Sequence, residues 1–419
     1  MINLTKKKII VGLDIGTTKT SVLIGEISDK NTINIIGIGY CLSNGINKGK
    51  IDNLDDITQC IKKSINQAEK MANLHITSVY LSLSTTDISC QNEIGIIPLN
   101  NNVVTKDDIK HAIYIAKSVK IKNQHDILHI IPKKYDIDKQ RGVIDPIGLS
   151  GKRIQANVHL ITCHKDVKNN IFAALENCGL NVEKLIFSGL SSSTSVLTTE
   201  EKELGVCMLD IGGGIIDMAI YINGVLEHIH VIPYAGDIVT NDIAYAFKVS
   251  KIHAEKIKTQ YTSNKSKISY NNKNNYISAN INYSENNNQE QVKKLMSIIK
   301  SRYIELLKLV NHEIRKIQEK LYQKGMDYEL KSGIVLTGGA SKIDSLVSYG
   351  EKIFNMPVRI GIPNTLNGLE AHINNKLYYS TVIGLLHYAK ENYIHQEVTI
   401  NKKKVVGKFL NNIIGFFKK

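Results

Sequence analysis

The sequence predicts an α/β protein built on a duplicated strand–turn–strand unit, and three observations carry that prediction. "GLDIGTTKTSVLIGEI" fills residues 12–27 and "LDIGGGIIDMAIY" fills residues 209–221. In both, an apolar strand ends on Asp-Ile-Gly, passes through a small polar turn and enters a second apolar strand. A third glycine-marked turn follows another apolar strand at "IVLTGGASKIDSL", residues 334–346.

Ile9, Ile10, Val11 and Leu13 before the first turn and Val22, Leu23 and Ile24 after it are rich in β-branched side chains, so both runs read as strands and the unit as a hairpin. That separates it from the phosphate loops in which glycines feed a helix N-terminus. In a hairpin the anion is held by the turn's own N–H groups, left uncovered by glycine and small hydroxyl residues. Gly16, Thr17, Thr18 and Lys19 supply one such turn, and Gly212, Gly213 and Gly214 the other. Asp14 and Asp210, 210 − 14 = 196 residues apart, end the two leading strands. A carboxylate there suits hydrated Mg²⁺, which keeps several waters and takes one or two protein carboxylates. The third turn offers bare backbone to a flat nucleoside.

The remaining elements follow in order. Residues 55–72 place Ile57, Ile61, Ala68 and Met71 at helical spacing behind Asp55 and Asp56. "SVYLSLS" (78–84) is a strand. From Thr86 to about Ile161 short strands, "HIIPKKYDID" and "VHLITC" among them, and one helix near 107–118 form a separate small insertion. A helix over 165–178 ends at Gly179, and a strand near 185–187 and a helical run over 191–198 precede the second hairpin. "DIVTNDIAYAF" and "HAEKIKTQY" are helical, and asparagine-rich residues 263–290 form an exposed loop. A long helix then puts Leu295, Ile299, Leu306, Val310, Ile314, Ile317 and Leu321 on one side, a core stripe.

Composition excludes several classes. With 419 residues, 42% of them hydrophobic, the chain can bury a sizeable interior divided among two or three domains. The six cysteines never approach CxxC spacing and read as reduced thiols of a cytosolic protein. Gly12 and Asp14 break the first apolar run, which argues against a signal peptide, and no run of about 18 apolar residues spans a bilayer. The net charge of +14 comes from lysines scattered along the chain with an excess of asparagine and isoleucine, the mark of biased composition, and predicts no nucleic-acid partner.

The three turns, in this order, resemble phosphate 1, phosphate 2 and adenosine motifs of the actin, Hsp70 and sugar-kinase superfamily. "LSLSTTDISCQNEIG", "GLSGKRIQANVHLITC", "VIPYAGDIVTNDIAYAF", "SGIVLTGGASKID" and "YYSTVIGLLHY" extend the resemblance, over nearly the whole chain, to the bacterial FtsA family of division proteins. The resemblance implies an actin-like (ribonuclease H-like) duplicated fold, with two lobes closing on Mg²⁺ and ATP in a central cleft and an inserted small α+β subdomain. It assigns residues 1–84, 165–195 and about 380–394 to subdomain 1A, 85–164 to inserted subdomain 1C, 196–240 and 333–379 to 2A, and 241–332 to 2B, then a linker at 395–404.

Carried onto this chain, the resemblance gives Asp14 and Asp210 to Mg²⁺ and Gly16, Thr17, Thr18, Lys19, Gly212, Gly213 and Gly214 to the phosphates. Glu255 and Lys258 lie beside the ribose and adenine, which Gly338, Gly339 and Ala340 back, and Arg302 and Glu305 fall where the family docks the tail of the tubulin-like FtsZ. Asp217 is the candidate for orienting an attacking water; no general base is evident, and any hydrolysis should be slow. Phosphate 2 usually continues into threonine, but this chain has Ile215, which removes one hydrogen bond of about 0.5–1.5 kcal/mol.

The last fifteen residues separate a scaffold from a kinase. On a helix, Val405, Val406, Phe409, Leu410, Ile413, Ile414, Phe416 and Phe417 share one half of the wheel, and lysines at 402–404, 418 and 419 flank them. A helix of roughly 22 Å is too short to span and lies in the interface of an anionic membrane, each lysine adding about 1 kcal/mol. The expected protein polymerises on the inner face of the cell membrane at the division site, where many tails on one filament act together, tethers FtsZ and recruits later division proteins. The alternative is a small-molecule kinase of the same superfamily, which would need a base beside a substrate pocket.

Overall fold

Strands Lys8–Ile15 and Lys19–Ile27 pair antiparallel along their whole length, Asp14 opposite Ser21, and strands Val206–Ile211 and Ile216–Ile222 repeat the arrangement with Asp210 opposite Asp217. The computed structural model describes residues 8–263, 288–323, 325, 329–343, 345–364, 366–369 and 376–394. The amphipathic segment 405–419, with Val405, Val406, Phe409, Leu410, Ile413, Ile414, Phe416 and Phe417, lies outside them, as does 264–287 of the asparagine-rich stretch.

Each hairpin seeds a five-stranded sheet. In the first, the order is Asn181–Phe187, Ser78–Leu83, Lys8–Ile15, Lys19–Ile27, Ile33–Leu42; in the second it is Val225–Ile232, Ile216–Ile222, Val206–Ile211, Ile334–Thr337, Val358–Ile360. Within each sheet the leading hairpin strand runs parallel to its other neighbour, Ser78–Leu83 in one and Ile334–Thr337 in the other. The two sheets therefore share one plan. Helix Leu54–Ala72 covers the first, with Ile57, Ile61 and Ala68 fully buried and Asn53 capping its N-terminus through the amides of Asp55 and Asp56. The long helix Asn288–Gln323 covers the second with the predicted stripe from Leu295 to Leu321.

Between Leu83 and Lys165 the chain makes a separate four-stranded antiparallel sheet, ordered Ser89–Pro98, Arg153–His164, His125–Ile137, Gln140–Val143. Helix Lys106–Lys117, closed by a Thr105/Asp108 capping box, packs on one face of it. The strands are longer than the alternation predicted, since His125–Ile137 and Arg153–His164 carry apolar residues at their ends that bury against the two large sheets.

Two further boundaries differ from the sequence reading. Helix forms through Ser263 and again from Asn288, so both ends of the asparagine-rich stretch are helical. The helical run before the second hairpin starts at Ser188, directly after Phe187, because the small residues "SGLSSSTS" let it enter the space between the two large sheets. The Gly338–Gly339 turn leads into a single 3₁₀ turn, Gly339–Ser341, and the helix proper begins only at Leu346. A last helix, residues 380–394, returns to pack Val382, Leu385 and Leu386 behind the first hairpin.

Candidate functional site

One cleft, about 410 Å³ in volume, lies between the two large sheets. Asp14, Gly16, Thr17, Thr18 and Lys19 of the first hairpin, Asp210, Gly212, Gly213 and Asp217 of the second, and Glu255, Lys258, Gly338, Gly339 and Ala340 all line it. Residues from four distant stretches thus meet in one place. Gly214 does not line it; a Cβ there would stand 2.8 Å from the Thr17 hydroxyl, so it lies where the two turns abut.

The turns are built alike. Gly16 N–H donates to the Lys19 carbonyl at 3.0 Å, and Gly212 N–H donates to the Ile215 carbonyl at 3.0 Å. Those two amides are spent inside their turns. The sequence reading is corrected on this point: the N–H groups of Gly16 and Gly212 close the two turns and are not free donors. The turns face each other closely, for a Cβ on Gly213 would stand 2.0 Å from the Thr18 hydroxyl oxygen.

The three carboxylates are each held by a hydroxyl group. Ser82 donates to Asp14 at 2.5 Å, Ser84 donates to Asp217, and Asp210 accepts from Ser192 and, at 3.2 Å, from Thr381. Asp210 and Asp217 are 8% and 5% exposed, so their charged forms are poorly solvated. Burial, with the opposing pull of Ser82 and the repulsion of Asp210, pushes Asp14 up to about 6. Burial raises Asp210 as well, and burial with the Asp210 charge drives Asp217 well above the carboxylate range. A cation joining such a cluster would offset the cost of its buried charge. Among the described residues no three His, Cys, Asp or Glu side chains are arranged to ligate a metal by themselves. The donor set suits an ion that completes its shell with water and phosphate oxygens.

Lys19 reaches across the mouth. Its Nζ donates to the Tyr378 carbonyl at 2.7 Å and lies 3.5 Å from the centre of the Tyr379 ring; burial lowers its pKa to about 7 against the pull of Asp14. At the end of the cleft lined by Gly338–Ala340, Lys258, 6% exposed, donates to the Gly236 carbonyl (3.1 Å) and the Thr240 hydroxyl (2.8 Å) and pairs with Glu255 at 2.7 Å. Lys258 therefore fixes Glu255 at the cleft wall. Gly338 takes φ +89°, and a Cβ on it would stand 2.2 Å from Asp210 Oδ1. The Tyr378 ring lies against Gly339, and the Tyr303 hydroxyl donates to the Ala340 carbonyl at 2.9 Å.

Arg302 and Glu305 lie apart from the cleft, on the long helix. Arg302 Nε donates to Asp242 at 2.6 Å and one of its terminal nitrogens to Glu305 at 2.7 Å. Sequence reasoning missed Ser82, Ser84, Ser192, Thr381, Tyr378 and Tyr379. The signal available for the first four was a hydroxyl-bearing residue at the end of an apolar strand or within a small-residue helix; for the tyrosines there was none.

A family model described as "Cell division protein FtsA" matches residues 11–88 and 207–384, and one described as "SHS2 domain inserted in FTSA" matches residues 85–162 between them. The chain is 52% identical over 421 residues to the cell division protein FtsA of Buchnera aphidicola subsp. Acyrthosiphon pisum, covering 99% of this chain and 98% of that one. To the FtsA of Escherichia coli strain K12 it is 45% identical, covering all of both. Among solved structures it is similar to the PilM–PilN type IV pilus biogenesis complex, with a TM-score of 0.62 and 15% identity over 90% of this chain and 97% of that one. The ethanolamine utilization protein EutJ from Carboxydothermus hydrogenoformans gives a TM-score of 0.50 at 10% identity over 92% and 91%.

Proposed function

The chain belongs to the FtsA family of cell-division proteins and has an actin-like fold with an SHS2 insertion, and we propose that it is the ATP-dependent scaffold that holds the division machinery to the membrane. The observation that carries this reading is the convergence, in one cleft, of Asp14 and Asp210 with both hairpin turns and the Gly338–Ala340 turn.

In this reading ATP lies across the cleft. Its phosphates meet the amides and hydroxyls of Thr17 and Thr18 and the amide of Gly213, Lys19 turns from the Tyr378 carbonyl toward them, and Glu255 accepts from the ribose. Mg²⁺ would supply charge neutralisation between the phosphates and the carboxylates of Asp14 and Asp210. Ser82, Ser192 and Thr381 hold those carboxylates ready through the bonds described. Asp217 is already engaged by Ser84, and burial with the Asp210 charge raises its pKa, which fits slow hydrolysis.

The nucleotide-closed form polymerises, residues 405–419 lie on the anionic membrane surface, and the FtsZ tail docks at Arg302 and Glu305. A carboxylate of that tail would replace Asp242 or Glu305 as the partner of Arg302. Later division proteins are recruited through the insertion. Among the described residues no helix is long and apolar enough to cross a membrane, so attachment rests on the tail.

Sedimentation with anionic liposomes tests the reading. Intact protein with Mg²⁺ and ATP should pellet, and a variant lacking residues 405–419 should stay in the supernatant while still binding nucleotide. Equal pelleting of the two proteins refutes the membrane role of the tail, and absence of nucleotide binding in both refutes the cleft.

A further inference from the structure

By sequence the inserted sheet hangs from the first lobe, leaving it after Leu83 and rejoining it at Lys165. In the fold it is fastened to the second lobe. Strand Val225–Ile232, the edge of the second large sheet, touches three strands of the insertion: Ser89–Pro98, His125–Ile137 and Arg153–His164. Across this junction Lys133 of the insertion forms an ion pair with Glu227 of the edge strand. Their side chains are 13% and 6% exposed. No other ion pair among the described residues has both partners so deeply covered.

Both oxygens of Glu227 have a partner. The Asn92 amide donates to the second oxygen of Glu227 at 3.0 Å, and the Asn92 oxygen in turn meets His159 Nδ1 at 2.6 Å. Burial holds the His159 ring neutral, its pKa lowered to about 3, so that nitrogen donates to Asn92 as a neutral N–H. Two strand residues away, the Cys90 thiol lies 3.5 Å from the Ile229 carbonyl. A charge pair this dry is tolerated only while both members stay together, because separating them strands a buried charge. The junction therefore has two states, joined or parted, with little between.

The junction also reaches the nucleotide turn. Ile215, at the end of the second hairpin turn, is 8% exposed and packs in the apolar cluster that contains Ile229 and Val231 of the edge strand. Ile88, Cys90 and Leu128 of the insertion pack against the same cluster. Movement of the Gly212–Ile215 turn on meeting a phosphate is thus passed to the edge strand that carries Glu227.

We propose that the Lys133–Glu227 pair is a latch coupling the nucleotide cleft to the insertion, so that occupancy of the cleft fixes the insertion and a protein bound on the insertion alters nucleotide affinity by the same factor. This rests on the reading of the cleft as a nucleotide site.

Hydrogen exchange of the full chain, with and without Mg²⁺ and AMPPNP, tests it. In the natural protein the nucleotide should slow exchange in residues 89–98 and 125–137 by about fivefold or more, the lower end of allosteric coupling. Glu227→Gln, which leaves Lys133 without its counter-charge, should reduce that slowing to less than about twofold while strands 8–15 and 206–211 keep theirs. Should that variant fold poorly, the double change Lys133→Met with Glu227→Leu removes the latch without leaving a buried charge and should uncouple the insertion in the same way. Slowing of the insertion in a folded variant equal to that in the natural protein overturns the latch. So does slowing confined to the cleft strands in the natural protein, which leaves the nucleotide site standing. Absence of any effect of nucleotide on the cleft strands overturns the nucleotide reading and the latch with it.

Discussion

Replacing Asp14 with asparagine should stabilise the nucleotide-free protein. Asp14 is pushed from 3.8 to about 6, mainly because burial in the cleft leaves its charge poorly solvated. An acid raised in this way adds stability below its unfolded pKa and loses it as pH rises through the folded value, so the natural protein carries the penalty at neutral pH. The gap between 3.8 and about 6 corresponds to about 3 kcal/mol above both values. Roughly half of it is present at pH 5, where Asp14 would be ionised only in the unfolded chain. Asparagine keeps the shape and still accepts from Ser82, but it leaves Lys19 without the nearby negative charge that supports its ammonium. The figure of about 3 kcal/mol is for that reason an upper bound.

Urea denaturation of the two proteins without nucleotide, at pH 8 and pH 5, measures this directly. The Asp14→Asn protein should be more stable at pH 8 by about 1–3 kcal/mol, and the advantage should shrink by about half at pH 5. With saturating Mg²⁺ and ATP the order should reverse, because the natural protein gains binding free energy that the variant cannot. A variant no more stable than the natural protein at pH 8, or an advantage that does not narrow at pH 5, would refute the claim that Asp14 is strained by desolvation in an empty cleft.

Two other substitutions probe the turns. Gly338→Ala should cost about 1–3 kcal/mol of backbone strain at φ +89°, and its methyl, placed 2.2 Å from Asp210 Oδ1, should dislodge that carboxylate. A lowered melting temperature together with loss of nucleotide binding by calorimetry is expected; unchanged binding would mean Asp210 does not serve the ligand. Ile215→Thr should restore a hydroxyl to the phosphate turn and tighten nucleotide binding by about 0.5–1.5 kcal/mol, while removing packing from the junction cluster at a cost of about 1–3 kcal/mol in chemical denaturation. Tighter binding without loss of stability would show that Ile215 has no packing role.

The hairpins were legible in the sequence because a strand buried on both faces needs an unbroken apolar run, and two such runs joined by three or four small residues leave the chain few alternatives. The long helix was legible for the same reason, its stripe from Leu295 to Leu321 having a period no strand can use. What escaped was everything set by contacts between distant stretches. Ser84 and Asp217 are 133 residues apart, and Thr381 and Asp210 are 171 apart, so nothing local marks them as partners. Lys133 reads as one of four Asp or Lys residues in its strand; only the approach of residue 227 makes it a buried ion. Gly16 and Gly212 were read as phosphate donors because sequence identifies a turn residue without saying where its N–H points.

The duplicated unit is informative where its halves part company. Superposing the two hairpins by their common Asp-Ile-Gly and their common turn hydrogen bond sets Lys19 against Ile215 and Ser21 against Asp217. Each half has thus kept the aspartate that ends its leading strand and differs in the rest. The first turn ends on a cation that reaches the cleft mouth, whereas the second ends on an apolar side chain facing the junction with the insertion. Opposite the shared aspartate, the first hairpin has the buried hydroxyl of Ser21, which takes no hydrogen bond, and the second has Asp217, which accepts from the first lobe through Ser84. Lys19 thus enters the cleft from the first hairpin and Asp217 from the second, and Ser84 ties Asp217 back to the first sheet, so the two halves contribute unlike groups to one cleft.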